Sequence, residues 1–128
     1  MENYYLKSTS KTPYLDFKYH EGIFEISGRS IPENSIEFYK PLIQWIEEYT
    51  KKPREKTTLL VKLEYFNTSS SKCLVEVFRK LEKVHQAGYE THILWYYESE
   101  DEDMLESGED FKEIIKIPIT ILKIEATN

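Results

Sequence analysis

The stretch that decides the fold runs from Thr57 to Tyr97. It begins with 57-TTLLVKLEYF-66, continues with 67-NTSSSKCLVEVFRKLEKVHQAG-88 and ends with 91-THILWYY-97. Apolar residues alternate with other residues in the first segment and recur at helical spacing in the second, which predicts a strand and then a helix closed by Gly88. The third segment is β-branched and aromatic, as strands are. Strand, helix and strand in this order require a parallel pair joined by a right-handed crossover.

Upstream residues predict a hairpin and a further helix. Tyr14 to Tyr19 and Ile23 to Ser27 are short strand-like runs separated by a turn that ends in Gly22. Asn34 is a good N-cap for the amphipathic helix that follows, and Pro41 predicts a kink or a fresh start near Lys40. Residues 1–11 are polar and are expected to form a loose arm.

Downstream of the predicted strand, helix and strand, eight of the 13 residues from Glu98 to Asp110 are carboxylates. This density predicts a solvated acidic loop or short helix. A last strand is expected after Pro118, within Ile114 to Ile124. The fold class is therefore α/β, on the border with α+β: one domain over residues 1–128, with a mixed four- or five-stranded sheet that opens with a hairpin and carries two main helices.

The composition of the chain limits the partners and the cellular setting that can be expected. The chain has 128 residues and a net charge of −6, which is the wrong sign for neutralising a phosphate backbone, so nucleic acid is not an expected partner. Its single cysteine, Cys73, excludes an internal disulfide and favours a reducing, cytoplasmic setting. We expect Cys73 to be a small core filler, with a reactive thiol as the minor alternative. No apolar run approaches membrane length, and no membrane partner is expected.

The strongest local signal is the start of the second helix, where four hydroxyl residues follow Asn67. Backbone N–H groups at a helix start are unpaired and the helix dipole is positive there, so an anion is favoured. Thr68 or Ser69 would be the cap or its neighbour, and Lys72 is a possible cation partner for a phosphate on either residue. On these residues alone, plain N-capping is the favoured interpretation.

Catalytic and metal-binding patterns are missing. The acidic stretch does not match the spacing of a calcium loop, and the three histidines keep no ligand spacing, so neither a metal nor another cofactor is expected. An enzyme is disfavoured. The catalytic alternative is a small hydrolase or transferase with Thr68 or Ser69 as its nucleophile, which would need a base within hydrogen-bond reach.

The topology places the hydroxyl-rich helix start beside the acidic stretch. Loops that leave parallel strands emerge at one edge of a sheet, so residues 67–72 should neighbour the acidic stretch, and residues 29–34 join them if the second hairpin strand runs the same way. The partner-binding candidates at this edge are Arg29, Asn34, Glu98, Asp101, Asp103 and Glu109.

Three motifs carry a family resemblance. They are Ser30-Ile31-Pro32-Glu33-Asn34-Ser35 with Phe38-Tyr39 and Trp45, then Tyr65-Phe66-Asn67-Thr68-Ser69-Ser70-Ser71-Lys72, then Trp95-Tyr96-Tyr97-Glu98 with Asp101, Asp103, Met104 and Gly108-Glu109-Asp110. In this order, over roughly residues 10 to 124, the chain resembles the SiaC family of bacterial regulatory phosphoproteins.

The resemblance implies a STAS-like fold and a non-catalytic role in a partner switch. Thr68 matches the threonine that a dedicated Ser/Thr kinase phosphorylates and a PP2C-like phosphatase dephosphorylates, with Asn67, Ser69, Ser70 and Lys72 around it. In the system that gives the family its name, the unphosphorylated protein binds and activates a diguanylate cyclase, which feeds cyclic-di-GMP signalling and biofilm formation. An anti-sigma-factor antagonist module is the alternative of the same class.

Overall fold

A computed structural model describes residues 1–125, which form one sheet and three helices. The elements in chain order are β1 Tyr4–Leu6, β2 Tyr14–Lys18, β3 Ile23–Ser30, α1 Ser35–Lys51, β4 Lys56–Phe66, α2 Thr68–Gln86, β5 Glu90–Glu98, α3 Glu102–Ile114 and β6 Ile119–Ile124.

The strands lie in the sheet in chain order, from β1 to β6. β1, β2 and β3 are antiparallel neighbours, whereas β3, β4, β5 and β6 are parallel. Each crossover advances by one strand in the same direction, so right-handed connections place all three helices on one face. The predicted mixed α/β class and the hairpin are confirmed. The sheet has six strands within the described residues instead of four or five.

The additional strand is β1, so the expectation of a loose arm over residues 1–11 is wrong for its central part. Tyr4 to Leu6 pairs with Leu15 to Phe17, and Tyr4 and Leu6 pack against the core. The indole N–H of Trp45 donates to the carbonyl of Glu2 at 2.9 Å. A three-residue run is too short to show a period of two, and its stability comes from the otherwise unpaired edge of β2.

Helix α1 begins after Asn34, as predicted, and continues without a break through Pro41 to Lys51. Of the kink or fresh start predicted near Lys40, the fresh start is therefore wrong. Pro41 is exposed, so water can solvate the carbonyl one turn earlier, at Glu37, that the missing proline N–H leaves unpaired. The buried face of the helix, which includes Tyr39 and Ile46, stabilises the helix against this cost.

The core lies between the helices and the covered face of the sheet. Its largest fully buried side chains are Trp95, Tyr39, Tyr49, Phe17 and Phe24. Cys73 is a core filler, as expected: it is 5% exposed, and burial, with a smaller contribution from Glu76, raises the pKa of its thiol. No helix among the described residues is long and apolar enough to cross a bilayer.

Candidate functional site

The carboxyl ends of β3, β4 and β5 form one edge of the sheet, which we call the switch edge. Each strand is followed there by a helix, and the residues that begin α1, α2 and α3 stand side by side because the three strands are adjacent and parallel. The backbone N–H of Asn67, between β4 and α2, donates to the carbonyl of Ser30 at 3.0 Å. The predicted juxtaposition of residues 29–34, 67–72 and the start of the acidic stretch is confirmed.

Three amide or carboxylate side chains cap the helices at this edge. The Oδ1 atoms of Asn34, Asn67 and Asp101 each accept a backbone N–H three residues on, at 3.1, 2.9 and 3.0 Å. The sequence pattern placed Thr68 or Ser69 at the cap or next to it; the cap is Asn67, and Thr68 is the first helical residue. Asn34 and Asp101, predicted to bind a partner, therefore also have structural roles.

Thr68 is an exposed residue of the switch edge whose hydroxyl is free within the described part of the chain. Its side chain is exposed, and among the described residues its hydroxyl has no hydrogen-bond partner within the protein. The backbone N–H groups of Thr68 and Ser69 also lack a protein acceptor there, whereas that of Ser70 is bound by Asn67. A phosphate on Thr68 would meet these N–H groups and the positive end of the α2 dipole, so we expect the folded domain to tolerate a dianion at this position.

Ser70 differs from Thr68 because it is part of a buried hydroxyl network. Its hydroxyl donates to the carbonyl of Ser30 at 3.0 Å and accepts from the hydroxyl of Ser30 at 2.8 Å. Since the only proton of the Ser30 hydroxyl is used in that bond, the Tyr39 hydroxyl donates to Ser30 at 2.6 Å. Burial raises the pKa of Tyr39 to about 12, so this phenol stays a neutral donor.

Ser69 lies at the surface end of the same network. Its hydroxyl donates to Asn67 Oδ1 at 3.2 Å and lies 2.7 Å from the hydroxyl of Ser35. Because the proton of Ser69 points to Asn67, Ser35 donates to Ser69. The first turns of α1 and α2 are joined by this bond, and a phosphate on Ser69 would break it.

Sequence reasoning missed the structural role of Ser30, Ser35 and Tyr39. All three occur in the motif that carries the family resemblance, but no periodicity or spacing indicates that their hydroxyls meet that of Ser70. The contacts join residues 9 to 40 positions apart, and the parallel pairing of β3 with β4, together with the packing of α1 against α2, brings them together.

We expect Ser70→Ala to destabilise the domain by about 1 to 3 kcal/mol, because it removes the buried acceptor of the Ser30 hydroxyl proton and one of the two donors to the Ser30 carbonyl. Thr68→Ala should change the free energy of unfolding by less than about 0.5 kcal/mol, since Thr68 is exposed. Urea unfolding of both variants measures the difference. Equal stability of the two variants would contradict the network.

The remaining predicted residues fall in different places. Arg29, Lys72, Glu98 and Asp103 are exposed at the switch edge, around the starts of the three helices. Glu109 is exposed but lies two turns into α3, beside Leu105 and Ile121, so its predicted place at the edge is wrong. The acidic stretch forms a helix, and a rise of 1.5 Å per residue carries Glu109 away from the edge.

The carboxylates of α3 do not converge on a cation site. Within the described residues no group of three or more His, Cys, Asp or Glu side chains could hold a metal ion. Asp101 is already engaged as a helix cap. We expect millimolar calcium or magnesium to leave the melting temperature nearly unchanged, whereas a site filled at a hundred times its dissociation constant would stabilise the fold by about 2.7 kcal/mol. A large upward shift in a melting curve would contradict this expectation.

An α/β domain with an exposed threonine at a helix start, on the edge where parallel strands end, is of the class that phosphorylation can regulate, because a helix start favours an anion. The comparisons with known proteins agree with this class. A family model described as SiaC family regulatory phosphoprotein matches residues 6–124. The chain belongs to the SiaC family of regulatory phosphoproteins, and the resemblance is confirmed.

Relatives from Pseudomonas aeruginosa match nearly the whole chain. An uncharacterised protein of strain UCBPP-PA14 is 31% identical over 121 residues, which are 94% of this chain and 96% of the relative. The structure of SiaC has a TM-score of 0.88 and 28% identity, and the match covers 97% of this chain and 100% of that one. A chain in the crystal structure of diguanylate cyclase SiaD in complex with its activator SiaC has a TM-score of 0.87 and 30% identity, with 94% and 99% covered.

Proposed function

We propose that this protein is a non-catalytic, cytoplasmic signalling adaptor switched by reversible phosphorylation of Thr68. In the unphosphorylated form it binds and regulates a diguanylate cyclase, and through it cyclic-di-GMP signalling and biofilm formation. A Ser/Thr kinase adds the phosphate and a PP2C-like phosphatase removes it. Membership of a family of regulatory phosphoproteins supports the switch, and the complex of the related SiaC with a diguanylate cyclase supports the effector.

One observation carries the assignment to Thr68: the four adjacent hydroxyls differ in their burial and in the hydrogen bonds that they already form. Ser70 is fully buried and hydrogen-bonded, and Ser69 is engaged by Asn67 and Ser35. Ser71 is half-buried within the helix. Thr68 alone among these four combines an exposed side chain with a hydroxyl that no described residue engages, so a kinase can reach it without breaking a structural contact.

The same contacts weigh against a nucleophilic hydroxyl. The two partners of the Ser69 hydroxyl are Ser35 and Asn67, and neither side chain is a base that can take up a proton at neutral pH. Activation of a serine or threonine nucleophile requires such a base. This geometry supports an adaptor over a hydrolase or transferase.

We expect phosphopeptide mapping, after incubation with the cognate kinase and ATP, to find the phosphate predominantly on Thr68. Thr68→Ala should remove most of the incorporated phosphate. The matched control is Ser71→Ala, one helical turn away, which should leave incorporation unchanged. A dominant signal on Ser70 or Ser71 would contradict the assignment.

A further inference from the structure

The outer edge of β6 is an unprotected strand edge. β6 is the last strand of the sheet, and within residues 1–125 it pairs only with β5. The opposite edge of the sheet is the three-residue strand β1, which is short, as protected edges commonly are. β6 has six residues, ITILKI, with no proline, no irregularity in its register and one charge. A mainly apolar edge of ordinary strand length, without a proline or a bulge, can pair with another strand.

The backbone groups that point outward can be assigned. The N–H of Ile93 donates to the carbonyl of Pro118 at 3.0 Å, and the N–H of Ser99 donates to the carbonyl of Ile124 at 2.8 Å. Alternate residues of a strand point their backbone groups to opposite sides. Ile119, Ile121 and Lys123 therefore direct their N–H and C=O groups away from the sheet.

A concave surface accompanies this edge on the helix-covered face. Ile121 is paired with Trp95 and Lys123 with Tyr97, which places both side chains of β6 on the side of α3. The surface has an apolar floor and a charged rim with two carboxylates and one ammonium. It is lined by Tyr97, Leu105, Ile121, Glu109, Lys112 and Glu113.

We propose that β6 is a self-association surface, on which a second copy of this chain adds its own β6 in antiparallel orientation. A two-fold axis at Ile121 pairs each residue whose backbone N–H and C=O point outward with such a residue of the second copy. An antiparallel ladder requires this pairing. Ile121 then faces Ile121 of the second copy, and Lys123 faces Ile119 of the second copy. The two sheets become one continuous sheet of twelve strands, twice the six of one copy.

Charge complementarity selects a second copy as the occupant. The chain leaves α3 at Ile114 and enters β6 at Ile119, so Ile119 lies near the carboxyl end of α3, where Glu113 is exposed. The pairing brings Lys123 of each copy to Glu113 and to the negative end of the α3 dipole of the other copy. Within residues 1–125 neither Lys123 nor Glu113 forms an ion pair, so both charges are available.

Sedimentation velocity at rising concentration tests the proposal, which does not depend on the proposed function. We expect a monomer–dimer equilibrium. Lys123→Glu should weaken the dimer about tenfold, because each dimer contains two copies of the ion pair and like charges replace both. Glu113→Lys should weaken it to a similar extent. The double variant, which restores opposite charges, should return to within about threefold of the wild type.

Two controls make the result specific. Lys7→Glu makes the same change in charge beyond the opposite edge of the sheet and should leave the dimer unchanged. Hydrogen exchange of the Ile121 amide should slow as concentration rises, whereas that of Leu122, which already faces β5, should not change. A monomer at every concentration up to millimolar, a dimer that Lys123→Glu does not weaken, or a double variant no tighter than the single variants would each overturn the proposal.

Discussion

Thr68→Asp, or phosphorylation of Thr68 by the cognate kinase, is expected to weaken binding to the proposed diguanylate cyclase partner about a hundredfold or more, since burying an uncompensated charge at an interface costs several kcal/mol. Thr68 is a neutral, exposed side chain at the switch edge. A partner that packs against this hydroxyl must accommodate a charge of about −1.5 to −2 once phosphate is added. The carboxylates of Glu98 and Asp103 on the same edge increase the negative potential there.

The fold should survive the same change. The phosphate lies at the start of α2, where the dipole and the N–H groups of Thr68 and Ser69 favour an anion. Repulsion from the nearby carboxylates partly offsets this attraction. We therefore expect the circular dichroism spectrum to stay the same and the free energy of unfolding to change by less than about 1 kcal/mol.

Binding titrations with the purified cyclase test this expectation. Thr68→Ala should bind as the wild type does and should no longer respond to the kinase. Thr120→Asp, at an exposed threonine of β6 away from the switch edge, adds the same charge and should keep binding. A phosphorylated protein that binds as tightly as the unmodified one, or that loses binding only because it has unfolded, would contradict the switch.

Gly108→Ala is expected to destabilise the domain by about 2 to 3 kcal/mol, although alanine is the better helix former by about 1 kcal/mol. Gly108 is buried in α3 against the indole of Trp95. A Cβ atom built on Gly108 would lie 2.5 Å from Cδ1 and 2.7 Å from Nε1 of Trp95. Trp95 cannot move away easily, because it is fully buried and its N–H donates to the carbonyl of Met104 at 2.9 Å.

Urea unfolding monitored by tryptophan fluorescence measures this loss. Glu109→Ala is the matched control, since it introduces alanine at the next position of the same helix on an exposed side chain, and its stability should stay within about 0.5 kcal/mol of the wild type. A Gly108→Ala variant as stable as the wild type would show that α3 can move off Trp95. It would also show that glycine is not required for the close packing of α3 on β5.

Periodicity alone predicted most of the elements. The alternation in Thr57 to Phe66 predicted β4, and its apolar positions are buried as far as Leu63. Tyr65 departs from the pattern and is 53% exposed, because the register with β3 shifts so that Gly28 pairs with Leu63 but Arg29 with Tyr65. A bulge of this kind depends on the neighbouring strand, which a pattern within one strand cannot show.

The family and the location of the switch edge also followed from the sequence. Motif order indicated the family, and the strand–helix–strand order placed the start of α2 beside the acidic stretch. The path of β1 was decided by the tertiary structure, since three residues in a polar segment form a strand only where an unpaired edge is available. The length of α3 was decided in the same way, because Met104 and Phe111 stabilise it by packing on the core.

The sequence by itself determined that a hydroxyl-rich helix start lies at the edge where parallel strands end, because alternation and helical spacing are local properties of the chain. Only the tertiary structure decided which of these hydroxyls are hydrogen-bonded within residues 1–125 and which are free. Ser70 is held by Ser30, 40 residues away, and Ser69 by Ser35, 34 residues away. Four adjacent hydroxyl residues are chemically alike in sequence, and the strand pairing that buries one and exposes another is a long-range contact that no local pattern encodes.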